Sequence, residues 1–233
     1  MGRADFLYRG FLSRLRFEPT PCQDNLLRKL SDFVSSDDDD IFVVNGYAGT
    51  GKTTAIASVI DTLAEFKTKC VLLAPTGRAA KVLSSYAGRP AFTIHKHIYR
   101  QRAVGGDGFG QFSLAPNKDK ETLFVVDEVS LIGIDAGQQQ STAAFGTGNL
   151  LEDLITFVRS GVCCKVILIG DSAQLRITQR RMLYRHAISG GITLPLWLAM
   201  RITAHQMLRA HTRATTGIPR LIHQPPARYP RHR

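Results

Sequence analysis

The sequence predicts an α/β fold with a mostly parallel, doubly wound sheet flanked by helices, and three observations carry that prediction. Four short apolar runs, Ile41–Val44, Cys70–Ala74, Leu123–Val126 and Lys165–Ile169, are separated by helix-favouring stretches, the pattern of strand–helix–strand units. A glycine-rich segment, Gly46-Tyr47-Ala48-Gly49-Thr50-Gly51-Lys52-Thr53, lies between the first run and a helix-favouring run that continues from Thr54. Polar groups, Pro75-Thr76, Asp127-Glu128 and Asp171 to Gln174, follow the other three runs. Ligands on open parallel sheets sit at the carboxyl ends of the strands. One edge of the sheet is therefore expected to carry the candidate chemistry.

The glycine-rich segment fits the pattern GxxxxGK[ST] at every fixed position, with the strand before it and the helix after it that the motif requires. Glycines let backbone N–H groups turn inward around phosphate oxygens, and the helix start adds a partial positive charge. Lys52 is expected to reach the β- and γ-phosphates of a nucleoside triphosphate, and the Thr53 hydroxyl to ligate Mg2+. Gly46, Ala48, Gly49, Thr50, Gly51, Lys52, Thr53 and Thr54 form the expected cofactor-binding segment.

Asp127 and Glu128 supply two carboxylates beside that loop. Hydrolysis of a γ-phosphate needs Mg2+ to spread charge and a group to position the attacking water. Asp127 is expected to hold Mg2+ through a water, and Glu128 to orient or deprotonate the nucleophilic water. A helix cap is the structural alternative for either residue. Gln174 could sense the γ-phosphate through its side-chain amide.

The remaining elements follow in order. Residues 1–16 alternate basic and apolar side chains, which suits a short amphipathic helix with a solvated basic face. Thr20 as N-cap, Pro21 at the first helical position and Gln23 three residues on form a helix start of the capping-box type. Gln23 could instead read an adenine edge with its amide, and the spacing favours the cap. Asp37 to Asp40 form a solvated loop rather than a metal site. Thr76 is a natural cap for a helix after the second strand. His95 and His97 lie two apart, not at the i, i+4 spacing of a helical zinc site, which leaves a structural or DNA-backbone role. Ala103 to Asp119 reads as a loop or small hairpin, Gly137 to Gly148 as a second flexible stretch, and residues 149–160 as a helix.

Composition narrows the class. The chain has 233 residues, 44% hydrophobic and 21% charged, as in a soluble globular protein. It has neither an apolar run long enough to span a membrane nor a signal-peptide layout. Four cysteines without CxxC spacing argue against a zinc or disulfide framework and fit a reducing cytoplasm. A net charge of +11 suggests nucleic acid, but residues 176–233 hold 11 Arg and no Lys, Asp or Glu, leaving 19 basic against 19 acidic residues before them. The main domain is neutral.

Six segments in order resemble superfamily 1 DNA helicases of the RecD-like, 5′→3′ branch. They are Phe17-Glu18-Pro19-Thr20 with Gln23; Gly46 to Thr53; Ala74 to Ala80; Thr93-Ile94-His95; Val126 to Ser130; and Gly170 to Leu175. The resemblance implies a RecA-like phosphate-loop domain that binds ATP and Mg2+ and couples hydrolysis to movement on single-stranded DNA. It further implies that Gln23 reads adenine as well as capping, and that Gln174 senses the γ-phosphate. Thr76, Arg78, Thr93 and His95 then look like contacts to single-stranded DNA, which a neutral groove can make with hydroxyls, amides and a few basic groups.

After Leu175 the motif resemblance stops. The family continues with a Pro-Pro turn and a second RecA-like domain, whereas this chain continues Arg176-Ile177-Thr178-Gln179-Arg180-Arg181. The 58 residues from 176 onward also lack Asn, Phe, Val and Cys. The expectation is a motor domain over residues 1–175 and a poorly structured, aberrant or out-of-frame basic tail over 176–233. A basic tail that holds nucleic acid is the rival reading. An ATP-dependent DNA helicase is the expected parent function, with a nucleic-acid-stimulated ATPase and a nucleotide- or DNA-binding remnant of little turnover as alternatives.

Overall fold

A computed structural model describes residues 2–15, 17–47, 49–101, 112–132 and 146–171. Five parallel strands form the main sheet: β1 (Ile41–Asn45), β2 (Lys69–Ala74), β3 (Ala91–Thr93), β6 (Thr122–Val126) and β7 (Lys165–Gly170). They run in the order β1-β7-β6-β2-β3. The helices are α1 (Arg3–Ser13), α2 (Pro21–Ser35), α3 (Lys52–Glu65), α4 (Gly77–Ala87), α5 (Ile94–Ile98) and α6 (Leu150–Arg159). A second, two-stranded antiparallel sheet, β4 (Tyr99–Gln101) with β5 (Phe112–Leu114), follows α5 and packs Tyr99, Phe112 and Leu114 against the core.

Side chains alternate across the strands and build two cores. Leu123, Val125, Ile167 and Ile169 face one side, where α1, α2 and α3 bury Phe11, Leu27, Leu30, Ile56 and Leu63 against them. Phe124, Val126, Val166 and Leu168 face the other, against Ile94 and Ile98 of α5 and Leu151, Leu154 and Val158 of α6. Burial on both faces is why these strands read as unbroken apolar runs. The α/β prediction and its four long strands agree with the structure, as does the amphipathic lead-in helix. The three-residue β3 is an addition that the sequence pattern did not indicate.

Asp37 to Asp40 do form a loop, although not a freely solvated one. Asp40 receives the Arg159 guanidinium at 2.5 Å, and its carbonyl accepts from the Val166 N–H. Burial and the neighbouring Asp38 raise the pKa of the Asp39 carboxyl.

One buried carboxylate ties the antiparallel pair to the core. Asp153 on α6 is 2% exposed and accepts from the Tyr99 hydroxyl (2.6 Å), the Thr147 N–H (3.0 Å) and the Thr147 hydroxyl (2.8 Å). Burial first, then the bond to Asp153, raises the Tyr99 pKa and keeps its hydroxyl a donor. Hydrogen bonds to buried charged groups contribute roughly 1.5–3 kcal/mol. Tyr99→Phe is expected to cost about that much in urea unfolding, and Asp153→Ala more, because two further donors lose their acceptor. Unfolding midpoints equal to the parent's for both variants would remove this anchor from the account.

Candidate nucleotide site

The carboxyl edge of the sheet brings the predicted residues into a row. The glycine-rich loop follows β1, Asp171 follows β7, Asp127 follows β6, Thr76 lies two residues beyond β2, and Thr93 ends β3. Because the order is β1-β7-β6-β2-β3, nucleotide candidates occupy one half of the edge and DNA candidates the other.

The loop itself is shaped by its glycines. Gly49 and Gly51 adopt left-handed backbone, with φ of 76° and 77°, a region that costs other residues energy. A Cβ on Gly49 would meet no heavy atom within 4 Å, so the loop is open at that residue. At Gly51 a Cβ would stand 2.4 Å from Gln23 Nε2. The Gly46 N–H donates to the Gly170 carbonyl at 3.3 Å, carrying β1–β7 pairing into the start of the loop.

Gln23 has both amide atoms engaged. Its Oε1 accepts from the Thr20 N–H at 3.0 Å, while its N–H donates to the Thr20 hydroxyl at 3.4 Å, which is the capping box. Its Nε2 donates to the Thr50 carbonyl at 3.2 Å. The start of α2 is thereby tied to the phosphate loop. Spacing alone suggested the cap; the loop contact became visible only in three dimensions.

Lys52 opens α3 and turns its ammonium back onto the loop, donating to the carbonyls of Gly46 (2.7 Å) and Tyr47 (2.6 Å). Burial lowers its pKa, and the charges of Asp171 and then Asp127 oppose that shift. Both strand-end carboxylates thus act on this one cation. Asp171 had no role in the sequence reading; the signal was its position as the first polar side chain after an apolar strand.

Asp127 is anchored at both backbone and side chain. Its N–H donates to the Leu73 carbonyl at 3.0 Å, and one carboxylate oxygen accepts from the Glu128 N–H at 2.8 Å. Burial raises its pKa, opposed by the Glu128 N–H and by Lys52. Glu128 is exposed and sits in left-handed backbone, φ 54°, ahead of a 3₁₀ turn at Val129–Leu131. Such a conformation costs a non-glycine residue roughly 1–3 kcal/mol and concentrates at functional positions.

Thr53 and Thr54 lie in the first turn of α3. Thr76 accepts from the Ala79 N–H at 3.2 Å and caps α4, as its spacing predicts. Thr93 accepts from the Lys96 N–H at 3.3 Å and caps α5 in the same way. Both hydroxyls keep a hydrogen to donate. Arg78 is exposed on the first turn of α4. His95 is half-buried, and burial lowers its pKa, so its imidazole is neutral at pH 7. Ala48 and Gln174, with the segment 176–233, lie outside the described residues.

The donor set fits a Mg2+-bound nucleoside triphosphate. A glycine loop open at Gly49, one ammonium held on its own loop's carbonyls, a hydroxyl at the helix start and two acidic side chains match triphosphate and a hard divalent cation.

Asp127 gives a pH-dependent expectation. Its folded pKa is raised, so the folded state holds the proton more tightly, and ionisation costs stability as pH rises from the unfolded value through the folded one. Asp127→Asn keeps the acceptor for the Glu128 N–H and removes that cost. Without nucleotide, the variant is expected to melt above the parent at pH 7.5, with the gain vanishing near pH 3. A variant that melts lower at pH 7.5 would contradict the burial argument.

Similarity to known proteins agrees with this geometry. A family model described as an AAA domain matches residues 23–220, past the point where the motif resemblance ends. Over 135 residues the chain is 34% identical to an ATP-dependent RecD2 DNA helicase of Deinococcus radiodurans, covering 58% of this chain and 16% of that protein. Over 140 residues it is 31% identical to the ATP-dependent DNA helicase dda of Enterobacteria phage T4, covering 57% of this chain and 27% of that protein. The chain therefore spans a minor part of these relatives' lengths. With the family matched over most of its residues, the chain belongs to the AAA-domain family and is a superfamily 1, RecD-like helicase motor domain with a RecA-like phosphate-loop fold.

Proposed function

We propose that this chain is the first motor domain of an ATP-dependent DNA helicase, which couples ATP hydrolysis to 5′→3′ movement on single-stranded DNA. The observation that supports it best is the geometry at the sheet edge, where a phosphate-loop ammonium is held on the Gly46 and Tyr47 carbonyls after β1, while Asp171 and Asp127 directly follow β7 and β6, the next two strands. In this reading Lys52 leaves the Gly46 and Tyr47 carbonyls for the β- and γ-phosphates. Ala48, Gly49, Thr50, Gly51 and Thr54 surround the phosphates with backbone N–H groups, and Gly46, whose own N–H is held by the Gly170 carbonyl, starts the loop that carries them. Thr53 and Asp127 would hold Mg2+, which when bound neutralises charge on the phosphate oxygens. Glu128 orients or deprotonates the attacking water, and Gln174 reports the presence of the γ-phosphate. Gln23 carries the adenine contact by exchanging one of its present bonds.

Thr76, Arg78, Thr93 and His95 form the DNA-facing half of the edge. Their contacts are hydroxyl, guanidinium and neutral imidazole, which suits a strand held without reading its sequence. Residues 1–175 form the motor unit in this proposal. The arginine-rich segment 176–233 is set apart by its composition, even though the family match continues to residue 220. A second RecA-like domain is the expected source of the transition-state arginines, which in phosphate-loop enzymes contribute roughly 10³–10⁵ in rate.

The test is a set of assays on the 233-residue chain. It is expected to bind a fluorescent ATP analogue with Mg2+ and to lose that binding on Lys52→Ala. Glu128→Gln is expected to retain nucleotide binding and to lower hydrolysis by at least about 10²-fold, the contribution of a positioned general base. Assayed alone, the chain should turn over ATP slowly and leave 5′- and 3′-tailed duplexes wound. Nucleotide binding unaffected by Lys52→Ala would refute the site. Strong DNA-stimulated hydrolysis with unwinding would refute the need for a second domain, whereas binding without any turnover would favour the remnant reading.

A further inference from the structure

We propose that Phe92 is a base-stacking platform in a single-stranded DNA groove that runs along the outer edge of β3. This rests on the reading above that single-stranded DNA passes the Thr76–Thr93 half of the sheet edge. Phe92 is 40% exposed in the middle of a short strand whose neighbours Ala91 and Thr93 are more sheltered. Core packing does not account for an aromatic ring there. Beside it lies a shallow groove of about 520 Å³ between α4 and α5, lined by Lys81, Ser84, Ser85, Phe92, Thr93 and Lys96 among others, with no carboxylate among the lining residues.

Three features of the groove suit a single strand of nucleic acid. Lys81 and Lys96 are exposed, neither is ion-paired to a carboxylate among the described residues, and together they give the groove a positive rim. Among the described residues β3 is an edge strand that pairs with β2 alone, which leaves the backbone of its other side to hydrogen-bond. The Phe92 ring already interacts with a cation and a flat ring. The Lys96 ammonium is 5.8 Å from its centroid, and the His97 imidazole stacks at 6.5 Å with an interplanar angle of 27°. An exposed aromatic face beside lysines and hydroxyls is the chemistry that holds single strands without base selection, bases on the ring and phosphates on the cations.

The experiment compares two labelled oligonucleotides of equal length, oligo(dT) and its abasic counterpart, by fluorescence anisotropy with the full chain. Stacking on an aromatic side chain corresponds to roughly a 5–150-fold change in affinity per base. Phe92→Ala is expected to weaken oligo(dT) binding within that range and to leave abasic binding within about twofold. Phe92→Leu, which keeps the apolar volume without the aromatic face, should behave like Phe92→Ala, and Phe92→Trp like the parent. Lys81→Ala and Lys96→Ala should weaken both oligonucleotides alike, each lowering the salt slope by about 0.7. If Phe92→Leu binds oligo(dT) as the parent does while Arg78→Ala and Thr93→Ala bind weakly, stacking is refuted and the DNA-edge reading stands. If the parent binds neither oligonucleotide, both fall together.

Discussion

A half-buried ammonium must be met by oxygen atoms, and Lys52 imposes that requirement on the whole carboxyl edge of the sheet. The hydration its hydrogens lose at the start of α3 is replaced in part by protein oxygens. Two loop carbonyls supply direct bonds, and Asp171 and Asp127 supply field from the next two strands. Those carboxylates are there because β7 lies beside β1 and β6 beside β7, so the sheet order is what completes the site. A triphosphate offers the lysine stronger, charged acceptors than carbonyls. The arrangement is therefore a site whose internal bonds are weaker than those its ligand would make.

Two further features keep that site in shape. Gln23 reaches from the capping box of α2 to the Thr50 carbonyl, so a helix on the surface braces the loop. A Cβ on Gly51 would displace that amide, and the left-handed backbone there, φ 77°, would strain any other residue. Glu128, by contrast, is held in left-handed backbone without a glycine's freedom. Its strain is sustained by the bond from its own N–H to Asp127 and by the turn that follows. The far half of the edge is simpler: Thr93 ends β3 and Thr76 lies two residues past β2, and each caps the helix that follows, which leaves their hydroxyls near the surface.

Much of this was legible before any coordinates. The four long strands are apolar on both faces, so they stand out as unbroken runs, and the phosphate loop, Thr20 and Thr76 are local patterns with local causes. β3 was not legible because three residues, one of them an exposed Phe, carry no periodicity. Thr93 as a cap was hidden for the same reason, since α5 is only five residues long. The bond from Gln23 to Thr50 and the influence of Asp171 on Lys52 join residues 27 and 119 positions apart, and only the sheet order brings them together. The Asp37–Asp40 loop was located correctly, but its anchoring depends on Arg159, far away in the chain.

The most direct test is a crystal structure of the chain with a non-hydrolysable ATP analogue and Mg2+. The account predicts that the Lys52 ammonium leaves the Gly46 and Tyr47 carbonyls for the β- and γ-phosphates, with Thr53 and Asp127 around the metal. Nucleotide bound elsewhere, or bound at the loop with Lys52 still on its two carbonyls, would contradict it.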